Sequence, residues 1–366
     1  MQIHHAATAG DLADQLVSLW SGTRPDPFAF DLAVVPGAGF QRWLSQRLAT
    51  ADGPGGICAG VEFASLEGLE WRLDGSDDPW RPERLAWLVQ QVVLAGGDPQ
   101  LEVLRRHFDA SRESHSASRR IARHLAGYAR HRPEMLARWA EGVDEGPDGR
   151  PLAENAWQAH LYRLLAAELG ESPLQRRAGL LERLHGAPVD ALPHRIAVLA
   201  PRHLDTSTLE LLDALGSHHQ VELLLLTPSP GRGLSPATPG LRRAEFARPP
   251  GHPLNETLGA IADETALLAP RHARPAVPTD PTSMTGTLLA WLQSDVTADV
   301  QHPARRELAA GDRSVQVHLS HGRDRQVEVL REVLTTVLAD DPSLEPRDIA
   351  VLTPDVDAFA PLLAAA

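Results

Sequence analysis

The sequence predicts an α/β fold built on a parallel sheet, and three observations lead there. Short apolar runs of the fully buried strand type occur at Leu32-Ala33-Val34-Val35 and Ile196-Ala197-Val198-Leu199. Each is followed by a turn and then by apolar residues at helical spacing, so the order strand, loop, helix recurs. A long stretch with a 3.6-residue apolar period and no strand character separates the early units from the later ones.

Taken in order, Gln2 to His5 reads as a strand, Ala6 to Gly10 as a loop, and Asp11 as the N-cap of a helix carrying Leu12, Leu16, Leu19 and Trp20. Leu32 to Val35 is the next strand, turned by Pro36-Gly37-Ala38-Gly39 into a helix with Phe40, Trp43, Leu44 and Leu48. From Pro82 to about Leu184 the stripes are helical, one of Leu85, Leu88, Val89, Val92 and Val93 and another of Trp157, Leu161, Leu164 and Leu165. Strand character returns at Ile196 to Leu199, gives way to a helix with Leu209, Leu212 and Leu215, and resumes from Val221 to Leu226. Proline and glycine then cluster between Thr227 and about Thr287, which marks loops or a linker. A new unit starts with an alternating strand, Val315 to Leu319, a helix from Arg325 to Ala339 and a strand from Asp348 to Thr353. The expected organisation is residues 1–81 with 190–230 as one α/β domain, 82–189 as an all-α insertion, 231–310 as a connecting segment, and 311–366 as the start of a second α/β domain belonging to a longer protein.

All 35 cationic side chains counted as Lys+Arg are arginine, and the sequence contains no lysine. A phosphate-cradling P-loop needs a lysine on the β and γ phosphates, so none can exist here; Schiff-base chemistry and a lysine-dependent nuclease core are excluded in the same way. The loop after the first strand, where nucleotide-driven α/β motors hold phosphate, has one glycine and leads into acidic Asp11. Leu199-Ala200-Pro201-Arg202 stands where a pair of acids would coordinate Mg²⁺. No catalytic site and no ATP site is therefore expected in this chain. The turn at Pro36 to Gly39 lacks the third glycine of a dinucleotide fingerprint. The histidines fall in no metal-binding pattern, with His4-His5 and His218-His219 expected at the surface, and the single Cys58 is expected to be buried and unreactive. No apolar run is long enough for a membrane span and the N-terminus lacks a secretory pattern, which predicts a cytoplasmic protein.

The net charge is -13, so the whole surface cannot wrap a polyanion. One segment opposes that sign: between Arg112 and Arg138, seven arginines (Arg112, Arg119, Arg120, Arg123, Arg130, Arg132, Arg138) meet two acids. Ile121, Leu125 and Tyr128 offer an anchoring face while Arg119, Arg120, Arg123 and Arg130 fall largely elsewhere. The segment reads either as a phosphate track or as a solvated helix face paired with acids. Trp43, Trp71, Trp139 and Trp157 read either as base-stacking groups or as core.

The segment from Val315 to Leu330 and from Asp340 to Ile349 resembles exodeoxyribonuclease V gamma chains. So do, in the same order along the chain, Val34-Val35 through Leu44, Arg132-Pro133 through Trp139, Ala156 to Ala159, and Ile196 to Leu226. The resemblance implies a degenerate superfamily 1 helicase fold, a RecA-like parallel sheet with an all-α insertion and the start of a second RecA-like domain, without working ATPase motifs. It implies a non-catalytic subunit that splits and channels strands at double-strand DNA ends, with beta and alpha chains (RecB-like and RecD-like) as partners that carry the ATP and Mg²⁺ chemistry. Some members of the family read a short regulatory sequence, Chi, in single-stranded DNA. Trp71, Arg132 and Arg177 match the positions that do so, whereas Pro36, Ala38, Arg42, Ser65 and Arg123 depart from them, so any sequence read here would differ. The DNA-binding residues expected are Trp71, Arg119, Arg120, Arg123, Arg130, Arg132 and Arg177. Two other readings fit the residues alone: a self-sufficient α/β enzyme such as a nucleotide-sugar transferase, and a scaffold that contacts only proteins.

Overall fold

In the computed structural model, the residues described are 1–21, 26, 28–51, 56–74, 78–111, 114–229, 251–259 and 286–366. Five strands form one sheet: β1 (Gln2–Ala6), β2 (Asp31–Val34), β3 (Val61–Ala64), β4 (Arg195–Leu199) and β5 (Gln220–Leu226). They lie in the order β1-β5-β4-β2-β3, and every neighbouring pair is parallel. The fold is thus α/β with a parallel sheet and many helices.

Period-two alternation explains how the sheet is covered. Leu32, Val34, Ile196, Val198, Leu223 and Leu225 point to one face, where they pack with α3 (Leu66–Asp74), α9 (Pro173–Gly186) and α10 (Thr206–Leu215) through Leu69, Leu180, Leu184 and Leu212. Ala33, Val35, Ala197, Leu199 and Leu224 point to the other, against Leu12 and Leu16 of α1 (Ala9–Trp20) and Leu44 of α2 (Ala38–Thr50). Both faces are apolar, as a parallel sheet requires.

Between β3 and β4 the chain is helical: α4 (Pro82–Leu94), α5 (Glu102–Ser111), α6 (Ser114–His131), α7 (Pro133–Ala140), α8 (Trp157–Leu169) and then α9. These helices share a second core in which Trp139, Tyr162, Leu85, Leu136 and Leu165 are buried. Trp139 satisfies its indole by donating to the Glu145 carbonyl at 2.8 Å. Leu174 of α9 packs on this helical core while Leu180 and Leu184 pack on the sheet, so α9 joins the two layers.

Several local details differ from the sequence reading. The N-cap of α1 is Thr8, with Asp11 at the third helical position returning the bond in a capping box. The strand Val61–Ala64 and helix α3 lack a strong apolar alternation and are not evident in the sequence. His5 and His219 are buried, and His4 is nearly so, bonding through Nε2 to buried Glu222 Oε2 at 2.6 Å across the β1–β5 pair. Burial, and to a lesser extent neighbouring His4, lowers the His5 pKa. Cys58 is half-buried, and burial raises its thiol pKa.

The chain divides into two compact units, residues 1–282 with 294–303, and residues 283–293 with 304–366. The first also holds the short helix α11 (Pro253–Thr257), and α12 (Leu288–Thr297) contributes residues to both. The second unit contains α13 (Gly322–Asp340) and α14 (Val356–Ala365). Residues 315–319 and 348–353, expected as strands, form no ladder among the described residues; Asp348 instead ends a short 3-10 turn, and Leu319 and Leu352 are 94% and 95% exposed. A strand is stable only when a neighbour takes up its backbone donors and acceptors. Most of the Pro/Gly-rich stretch from Thr227 to Thr287 lies outside the described residues. Among the described residues no helix is long and apolar enough to cross a membrane.

Candidate nucleic-acid interface

Helices α4 and α6 run antiparallel: Trp87 and Gln90 of α4 meet His115 and Ser114 at the start of α6, while Arg81 to Glu83 and Ala126 to Arg130 come together at the other end. Ala117, Ala122 and Leu125 bury one face of α6, which leaves Ser116, Arg119, Arg120, Arg123 and His124 on the exposed one. No ion pair engages Arg119, Arg120 or Arg123 among the described residues, so their guanidinium groups project from a helix whose other side is anchored. Arg112 and Glu113 lie outside the described residues.

At the Gly127 end of α6 a cleft of about 500 Å³ opens between α3, α4, α6, α9 and α10. Trp71, 50% exposed on α3, lines it together with Arg130 and Arg177. The structure thus brings three of the seven expected residues to one cleft and sets Arg119, Arg120 and Arg123 along the helix leading away from it. Arg132, at the N-cap of α7, is exposed and donates from Nη1 only to the His131 carbonyl, at 2.8 Å.

Of the four arginines that line the cleft, Arg81, Arg130, Arg176 and Arg177, the last three are already occupied. Arg130 donates from Nη1 and Nη2 to the two Glu70 carboxylate oxygens at 3.0 Å each, from Nε to Asp205, and from Nη2 to Thr208 Oγ1 at 2.8 Å. Burial lowers the Arg130 pKa, but Glu70 and Asp205 outweigh it and hold the group above its ordinary range. Burial likewise raises the Asp205 carboxyl; the Arg130 guanidinium and the Thr208 amide outweigh that and bring it below the usual value. Asp205 also caps α10, accepting the Thr208 N–H at 2.7 Å, so one arginine ties α6 of the helical layer to α3 and to the start of α10 on the sheet. Arg177 donates to the Ser207 carbonyl and lies 3.3 Å from Glu210. Arg176 pairs with Asp78 and Glu171, both at 3.1 Å. With Glu67, Glu70, Asp78 and Glu83 facing four arginines, the cleft is a charge-balanced wall with an exposed indole, suited to a planar apolar group, and a row of arginines without ion pairs among the described residues lies along α6.

The other tryptophans separate on burial: Trp139 is core, Trp43 and Trp157 are half-buried against core clusters, and Trp71 alone of those four is half exposed. Sequence reasoning passed over Trp87, 64% exposed on α4. Its signal was available, since Leu85, Ala86, Val89 and Val93 bury the opposite side of that helix.

A family model described as the N-terminal domain of RecC matches residues 1–299. RecBCD enzyme subunit RecC of Mycobacterium tuberculosis (strain CDC 1551 / Oshkosh) is 39% identical over 395 residues, which takes in 100% of this chain and 35% of that protein. The protein of the same description from Mycolicibacterium smegmatis is 39% identical over 389 residues, with 100% and 34% covered. That of Escherichia coli K12 is 26% identical over 406 residues, with 93% and 35% covered. The chain belongs to the RecC N-terminal domain family. It spans about a third of the length of these relatives.

Proposed function

We propose that this chain serves as the DNA-guiding portion of a RecC-type subunit in a cytoplasmic RecBCD-like helicase-nuclease, where it accepts unwound strand at double-strand DNA ends and does no chemistry of its own. The observation that carries this reading is the pairing of Trp71 in its cleft with the unpaired arginines on the stretch of α6 that leads away from it. A single strand needs both a planar group to stack a base on and positive charge for its phosphates. In this reading Arg119, Arg120, Arg123 and Arg132 contact phosphate, Trp71 stacks on a base, and Arg130 and Arg177 hold the cleft walls rather than touching DNA. The RecA-like, degenerate helicase character of the sheet belongs to the same proposal, as do a second such domain beginning within residues 311–366, the division into residues 1–81 with 190–230, 82–189 and 231–310, and the assignment of ATP and Mg²⁺ to RecB-like and RecD-like partners. The absence of lysine supports that last point. Any Chi-type reading would proceed with the changed side chains at Pro36, Ala38, Arg42, Ser65 and Arg123.

The test is to recover the tagged full-length protein from its own host, identify what copurifies by mass spectrometry, and assay the material on linear duplex DNA. Two ATPase-bearing partners and ATP-dependent exonuclease activity are expected. Recovery of the protein alone, inactive on DNA ends, contradicts the proposal.

A further inference from the structure

We infer that Trp87 and His115 form a second base-stacking platform for single-stranded DNA, at the end of α6 remote from the Trp71 cleft, so that the strand is held at two aromatic points with the arginines between them. The inference rests on the single-strand reading of the cleft. Trp87 is 64% exposed, so most of its indole faces water while Leu85, Ala86, Val89 and Val93 bury the opposite side of α4. Its ring is not loose: the His115 imidazole lies 4.3 Å away, centroid to centroid, with the planes inclined by 37°. His115 is itself held, with Nδ1 3.3 Å from Gln90 Oε1, while the same amide donates from Nε2 to Ser114 Oγ at 3.0 Å. The outcome is a preorganised aromatic surface facing solvent.

What lies next to it identifies the occupant. On a helix, residues four apart stand one above another, so His115, Arg119, Arg123 and Gly127 form one ridge of α6. That ridge starts at the Trp87 platform and ends at Gly127, which lines the Trp71 cleft. Nothing lies within 4 Å of where a Gly127 side chain would begin, so the path from ridge to cleft is open. The twelve-residue step from His115 to Gly127 spans about 18 Å at 1.5 Å per residue. A single strand covers it with about three to five nucleotides, at 3.4 Å each when stacked and fewer when stretched. Two aromatic surfaces separated by unpaired guanidinium groups match bases alternating with phosphates. A protein partner would instead be expected to present acids to the arginines and an apolar pocket to the indole.

The test uses the assembled complex and a tailed duplex carrying one 5-iodouracil at successive tail positions, followed by ultraviolet crosslinking and peptide mapping. One position should crosslink to the α3 peptide containing Trp71, and another, about three to five nucleotides along, to the α4 peptide containing Trp87. Trp87→Ala should abolish the second crosslink and weaken tail binding about tenfold, and Trp87→Phe should restore much of it, since any aromatic face can stack. Crosslinking at Trp71 with none at Trp87, and tail binding unchanged in Trp87→Ala, overturns the platform and leaves the cleft reading standing. Crosslinking at neither removes both. Attachment of the α4 peptide to a copurifying protein under a chemical crosslinker, with DNA bound, also overturns it and marks this face as a protein contact.

Discussion

Arg130 shows how a residue's role is set by its partners rather than by its charge. In the sequence it is one more arginine in a basic run; in the structure it is shared by Glu70, Asp205 and Thr208 and bridges the helical layer to the sheet. Arg130→Ala would leave buried Asp205 with its Thr208 amide bond and the His131 ring 3.9 Å away but no guanidinium. The expected loss is about 1–2 kcal/mol of unfolding free energy, at the low end because 40% of the arginine side chain is exposed to solvent. The pH dependence follows from the lowered Asp205 pKa: its stabilising contribution is complete above the ordinary carboxylate value of about 3.9 and disappears as pH falls through the depressed folded value. Denaturant titrations of the two proteins should therefore differ fully near neutral pH, begin to approach one another as the pH drops below the ordinary carboxylate value of about 3.9, and converge only below the depressed Asp205 value. A gap that persists in acid would mean that Asp205 is not the partner that matters. Trp71→Ala is the complementary case. Half exposed, the indole contributes little to folding, so the thermal midpoint should stay put while binding of a single-stranded tail weakens by about 1–3 kcal/mol.

At the scale of elements, strands and helices with a strong apolar rhythm were legible and those without it were not. Leu32 to Val35 and Ile196 to Leu199 announce buried strands because both sheet faces take apolar side chains. β3, at the sheet edge, has no fully buried residue, Glu62 being exposed and Val61, Phe63 and Ala64 half-buried, and carries no such signal. The exposed face of α6 could be read from the spacing of Ile121, Leu125 and Tyr128, but which arginines remain unpaired could not. Glu70 and Asp205 reach Arg130 from 60 and 75 residues away, and no local pattern encodes that. Residues 315–319 show the converse: alternation is present, and the ladder that would make it a strand is not found among the described residues. Gly127 gives an element-scale prediction. Mid-helix and facing open space, it should accept alanine with a gain of about 0.5–1 kcal/mol, read as a higher denaturant midpoint. A loss of stability there would mean that α6 is more tightly surrounded than the structure shows.

For the whole molecule, the acidic balance and the basic ridge have to be considered together. A net charge of -13 repels a polyanion from most of the surface and so favours a basic ridge such as the exposed face of α6, where Arg119, Arg120 and Arg123 carry no ion pair among the described residues. Family membership gives that face its context, because proteins described as RecC subunits of the RecBCD enzyme match the entire chain, while the sequence itself has no lysine for a nucleotide site. The most direct measurement is the salt dependence of single-stranded tail binding by the assembled complex, with and without Arg119, Arg120 and Arg123 replaced by alanine. Each phosphate contact on a single strand contributes about 0.7 to the slope of log affinity against log salt, so the triple substitution should lower that slope by about two. An unchanged slope would show that the strand does not follow this helix, and the account of how the chain guides DNA would be wrong.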